Sequence, residues 1–131
     1  MKKTINSVVK SMVNNKEWLV DALSTATYGS FWARFGVHTD TPKDVYENAK
    51  ANNDCCEEVW ADVLLNGGYF LVEDVEESKD YKLSLKDFEK GMKTLIVLYP
   101  QMYVNIKTDN ADYYDYDALL QCAIFGDIIY G

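Results

Sequence analysis

The chain has one histidine, His38, and one arginine, Arg34, in 131 residues, with only two prolines and three cysteines. A single histidine excludes a histidine-based metal cluster and leaves one general base of the usual kind. His38 has no spaced partner nearby, so an inert surface histidine is the simpler reading. A lone arginine, with 13 basic groups against 21 acidic ones, argues against direct binding of DNA or RNA, because phosphate neutralisation calls for clustered Lys and Arg. No apolar run approaches the roughly 18 residues of a membrane helix. The amino end, MKKTINSVVKSMVNN, carries lysines but neither a continuous apolar stretch nor a small-residue cleavage site. A secretory signal is therefore not expected, and the cytoplasm is the expected compartment. The odd cysteine count agrees: Cys55 and Cys56 are adjacent, Cys122 lies in an apolar tract, and all three read as reduced thiols. Vicinal cysteines without a second pair do not make a zinc site, and the acidic stretches lack the glycine and spacing of a calcium loop. No P-loop, dinucleotide fingerprint or serine elbow occurs. No metal, cofactor or catalytic residue is assigned.

What is present describes a folded domain. The apolar fraction of 48% and aromatic fraction of 14% suit a globular protein, and the length suits one domain over residues 1–131. Ile5, Val8, Val9, Met12 and Val13 recur at helical spacing, as do Trp18, Leu19, Ala22, Leu23 and Ala26 after Asn14 and Asn15, giving one helix or two joined at the asparagines. Thr41 followed by Pro42 reads as a capped helix start. A further helix bearing Val59, Trp60, Val63 and Leu64 ends at Gly67. Residues 69–75 and 80–83 read as strands around a charged turn. Ser84 with Asp87 then opens a helix that ends before Pro100. A last helix begins somewhere between Asp109 and Asp117. The expected fold is α+β: four or five helices packed on a small antiparallel sheet, with a hairpin at about 69–83 and an extra strand at about 31–37. Trp18, Phe31, Trp32, Phe35 and Trp60 fall in apolar patterns, and core packing is expected for most of them.

The formal charge of −8 is uneven. Residues 51–131 hold sixteen acidic and six basic groups, in clusters at residues 54–62, 73–80 and 109–117. The third cluster, Asp109 to Asp117, places four aspartates and three tyrosines in nine residues and passes into an almost wholly apolar end. The change from solvated to buried is expected at Asp117. Tyrosine is enriched at binding hot spots, and an acidic surface fits a basic groove that ordinarily holds nucleic acid. The candidate partner-binding residues are Asp109, Asp112, Tyr113, Tyr114, Asp115, Tyr116 and Asp117, together with Glu73, Asp74, Glu76 and Glu77. Two plainer readings stand beside this one: charge kept on the surface for solubility, and tyrosines packed around a helix start.

The segment LLNGGYFLVEDVEESKDYKLSLKDFEKGMK and the closing DALLQCAIFGDIIYG resemble a family of small acidic proteins encoded by phages and other mobile elements of gut Firmicutes. The resemblance covers roughly residues 18–131. Two departures are that Tyr28-Gly29-Ser30 replaces the usual paired glycines and that Phe31 stands where tyrosine is common. The family carries no established activity, so the resemblance transfers no catalytic residue. It implies a setting in which small acidic proteins often inhibit host defence systems, anti-CRISPR proteins among them. Three functions are weighed. The first is a binding protein that blocks a basic, nucleic-acid-handling host protein. The second is an accessory or structural phage protein that self-associates, and the third is a small hydrolase using His38 or a cysteine.

Overall fold

A computed structural model describes residues 4–131, so Met1 to Lys3 of the lysine-bearing amino end lie outside the described residues. Thr4 caps α1 (Ile5–Val13) by accepting the Ser7 N–H at 3.1 Å. The two asparagines divide the first apolar pattern, as their side chains favour caps over helix interiors. Asn14 Nδ2 donates to the Lys10 carbonyl at 2.7 Å, closing α1, and Asn15 Oδ1 accepts the Trp18 N–H at 3.0 Å, opening α2 (Lys16–Gly29).

β1 (Ala33–Val37) leads to α3 (Lys43–Asn52), whose N-cap is Pro42. Thr41 is not the cap its position suggests. Its hydroxyl accepts the Tyr69 N–H at 2.9 Å, tying this loop to the start of the hairpin. α4 (Cys56–Leu65) buries Ala61, Val63 and Leu64 and stops at Gly67, which takes a φ of +87°. β2 (Phe70–Asp74) and β3 (Lys79–Leu83) complete a three-stranded antiparallel sheet in the order β1-β2-β3. The register sets Phe35 opposite Val72 and Val72 opposite Tyr81, so one face of the sheet meets the core.

α5 (Leu85–Leu98) opens where Asp87 accepts the Ser84 N–H at 2.8 Å. α6 (Pro100–Lys107) is a helix that the sequence pattern did not suggest. Pro100 reads as a stop for α5, yet a proline also suits the first helical position, where its missing N–H leaves no bond unmade. α7 (Tyr113–Phe125) is the central element, packed between α2 and α5 and burying residues on nearly every side. Gly91 of α5 permits the closest approach: a Cβ there would lie 2.9 Å from the Ala123 Cβ. The described residues thus form seven helices and one three-stranded sheet around a shared core, more helices than the four or five expected. The surplus comes from the asparagine break and from α6.

Candidate functional site

The eleven residues proposed from sequence divide sharply by burial. Asp112 caps α7 by accepting the Tyr114 N–H at 3.0 Å, and Asp115 returns the bond by accepting the Asp112 N–H at 3.1 Å. This reciprocal box satisfies the free amides of the first turn. It also draws Asp115 inside, to 6% exposure, where the Asn105 amide faces it at 3.4 Å. Tyr116 is buried as well, edge-on to the Trp18 ring at 6.4 Å. Burial first, then the Asp21, Asp109 and Asp115 charges, push its hydroxyl up to about 12. The change from solvated to buried therefore falls at Asp115, two residues before Asp117. The capping geometry turns that side chain inward.

Asp117 is an internal tie. Its Oδ1 accepts the Ser30 hydroxyl at 2.5 Å and the Trp32 indole N–H at 2.8 Å, while Oδ2 accepts the Gln121 amide at 2.8 Å. Gln121 is fully buried; its Oε1 accepts the N–H groups of Ile129 and Tyr130, and its Nε2 also donates to the Tyr130 carbonyl. Tyr130 stacks on Trp32 with centroids 5.2 Å apart. Its hydroxyl donates to Asp74 Oδ2 at 2.7 Å, a bond that pushes that phenol up to about 12. Asp74, at 0% exposure, also accepts the N–H groups of Glu76 and Glu77 and so shapes the hairpin turn. Asp74, Asp115 and Tyr116 are thus buried and not presented to a partner, while half-buried Asp117 has both oxygens engaged inside the fold.

What stays outside is a smaller set. Asp109, Asp112, Glu76 and Glu77 are exposed, Tyr114 is 62% exposed, and Glu73 and Tyr113 are half-buried. Glu73 lies opposite Arg34 in the β1–β2 register. Two residues absent from the expected set join them. Tyr28 is 78% exposed and Phe31 is 86% exposed. Tyr28 meets Tyr113 edge-on at 6.1 Å, and Tyr113 lies against Tyr114 at 4.3 Å. The hydrogen bond with Tyr114 and partial desolvation hold the Tyr113 phenol above its usual range. Gly29 makes this cluster fit, since a Cβ there would fall 2.5 Å from the Tyr113 ring.

The exposure of Phe31 has a local cause. Continued one step before β1, strand alternation would place Phe31 on the core face with Ala33 and Phe35. A tight turn intervenes, closed by the Ala33 N–H donating to the Ser30 carbonyl at 3.2 Å. It breaks the alternation, sends Ser30 and Trp32 inward to Asp117 and leaves Phe31 at the corner. An exposed phenylalanine forgoes roughly 1.5–3 kcal/mol of burial, so the fold gains nothing evident from a ring there. The sequence held no signal for this, because Phe31 and Trp32 are equally apolar neighbours.

The turn also joins the two acidic regions. Gly29 abuts Tyr113 at the start of α7, while the Trp32 carbonyl accepts the Val75 N–H at 2.9 Å beside Glu76 and Glu77. Those contacts are three positions apart in the chain, a span of at most roughly 11 Å. The first turn of α7 and the end of β2 therefore both meet the segment 29–32.

The residues considered for catalysis lie elsewhere. His38, beyond β1, accepts the Asp40 N–H on Nδ1 at 3.0 Å. The Cys55 thiol donates to Glu58 at 3.0 Å, which holds it above its usual range, and burial pushes Cys122 up to about 11. Such thiols are weak nucleophiles at neutral pH. Among the described residues, no group of three or more His, Cys, Asp or Glu side chains is placed to hold a metal ion, and no helix is long and apolar enough to cross a membrane. No family model, curated protein or solved structure matches the chain.

Proposed function

We propose that this is a non-enzymatic binding protein of a phage or mobile element, acting in the cytoplasm, whose acidic face occupies the basic groove of a host protein that handles nucleic acid. A host defence nuclease of the kind met by anti-CRISPR proteins is the partner class that the family resemblance suggests. One observation carries the reading: Glu76, Glu77, Asp109 and Asp112 all remain in solvent, on segments that both adjoin residues 29–32. Exposed carboxylates on adjoining segments set up a negative field that reaches about 8 Å at physiological salt. Such a field steers a basic partner and repels nucleic acid.

Affinity capture from host lysate tests the proposal. The complex should form at about 0.1 M salt and dissociate by about 1 M, as the screening length falls from about 10 to about 3 Å. A complex indifferent to salt counts against an electrostatic mechanism. A second reading, self-association of an accessory phage protein, has an observation of its own. Val97 is 78% exposed, and Leu98 and Val104 are exposed nearby in sequence on α5 and α6. Sedimentation of the wild type beside Val97→Asp would show that reading as a dimer lost in the variant.

A further inference from the structure

Resting on that proposal, we infer that Tyr28, Phe31 and Tyr114 are the apolar centre of the acidic face, and that its occupant is an arginine-bearing segment of the partner. Three observations lead there. First, the rings are large and in solvent, and Tyr28 and Tyr114 lie on either side of Tyr113 as a cluster, the grouping of exposed rings that marks an interaction surface where single ones do not. Second, the presentation is rigid. Asp117 holds the residues on both sides of Phe31 through the Ser30 hydroxyl and the Trp32 indole, and Tyr28 rests against Tyr113, which in turn rests against Tyr114. Rings fixed before binding lose little freedom when a partner arrives. Third, exposed carboxylates adjoin the segments that carry the rings: Asp112 caps the helix turn that bears Tyr113 and Tyr114, and Val75, whose N–H bonds the Trp32 carbonyl, leads into Glu76 and Glu77.

That combination selects the chemistry of the occupant. An acidic segment would be repelled. A purely apolar one would strip water from the flanking carboxylates without replacing it. A lysine satisfies a carboxylate but keeps a tight hydration shell. An arginine guanidinium stacks flat on an aromatic face, is weakly hydrated, and binds a carboxylate through two parallel N–H bonds. Rings flanked by carboxylates offer both contacts to successive arginines of an extended chain.

Titration of the isotope-labelled protein with an alternating Arg-Gly peptide, followed by NMR, tests this. Lys-Gly and Gln-Gly peptides of equal length serve as controls. Shifts are expected at residues 28–33, 75–77 and 109–114, with the Arg peptide tighter than the Lys peptide. Phe31→Ala and Tyr28→Ala should each weaken it about three- to tenfold. Both side chains are exposed, and unchanged spectra elsewhere would show that the variants fold. If the ring variants bind like wild type while a Glu76→Gln/Glu77→Gln variant weakens, the rings have no such role and the acidic-face proposal stands alone. If the Arg peptide shifts residues 54–62 instead, or binds nowhere, both fall. Shifts that grow with protein concentration in the absence of peptide would identify a second copy as the occupant and overturn the inference.

Discussion

Two adjoining regions of this protein invert the usual partition of side chains. Inside, buried Gln121 and Asp74 and half-buried Asp117 and Tyr130 meet one another through hydrogen bonds beside the apolar core. Outside, one turn away, Phe31, Tyr28 and Tyr114 stand in solvent. The first region explains the second. A carboxylate drawn out of solvent is costly unless its acceptors are filled, and two of the three donors that fill half-buried Asp117 are the residues on either side of Phe31. The interior network fixes the corner on which the exposed ring is carried. Carboxylate counts in the sequence therefore overstate the surface charge of this edge, because Asp74, Asp115 and Asp117 are turned inward, and apolar counts overstate the core.

The comparison can be broken from the inside. Asp117→Ala leaves three donors without their acceptor, and charged hydrogen bonds of this kind are worth about 1.5–3 kcal/mol each. A loss of about 3–5 kcal/mol is expected by urea denaturation. Asp117→Asn, which keeps the shape and part of the bonding, should lose visibly less. Gln121→Ala frees the 127–130 segment, with a loss of about 3 kcal/mol and faster amide exchange at Ile129 and Tyr130. Gly29→Ala tests the joint between the regions. Its Cβ would collide with the Tyr113 ring, so a loss of about 1–3 kcal/mol is expected, together with altered tyrosine fluorescence.

Alkaline pH probes the interior without mutation. Tyr116 and Tyr130 titrate near 12 in the fold against a usual value near 10, and Cys122 near 11 against 9. A raised pKa means the folded state holds its proton longer. The stability these groups contribute is present in full below the usual values and declines as pH rises from about 9 to about 12. Denaturation midpoints measured across that range should fall, and Tyr116→Phe should flatten the part above pH 10. The smallest expected effect is on the outside: Phe31→Ala should change stability by less than about 0.5 kcal/mol. A larger loss would mean that the ring belongs to the fold.

Much of this architecture was legible in the residues. Capping chemistry located α5 through Ser84 and Asp87, and the β-favouring residues on either side of the charged turn located the hairpin. Asn14 and Asn15 allow one helix or two, and the break follows in the structure because both side chains take backbone partners. α6 was not legible, since Pro100 is equally good as a stop and as a first helical residue. The site was only partly legible. Composition marked residues 109–117, but which of its carboxylates cap, tie or face solvent depends on the position of α7 between α2 and α5. Phe31 could not be read at all, because one hydrogen bond from Ala33 to Ser30 decides which of two adjacent aromatics turns inward.

Hydroxyl-radical footprinting of the protein alone and with its captured partner is the most direct measurement, because exposed aromatic rings report their own accessibility. The expected result is protection of Tyr28, Phe31 and Tyr114 on binding, weakening as salt is raised, with Val97 and Val104 unchanged. Protection confined to Val97, Leu98 and Val104, or rings that react equally in both states, would contradict it.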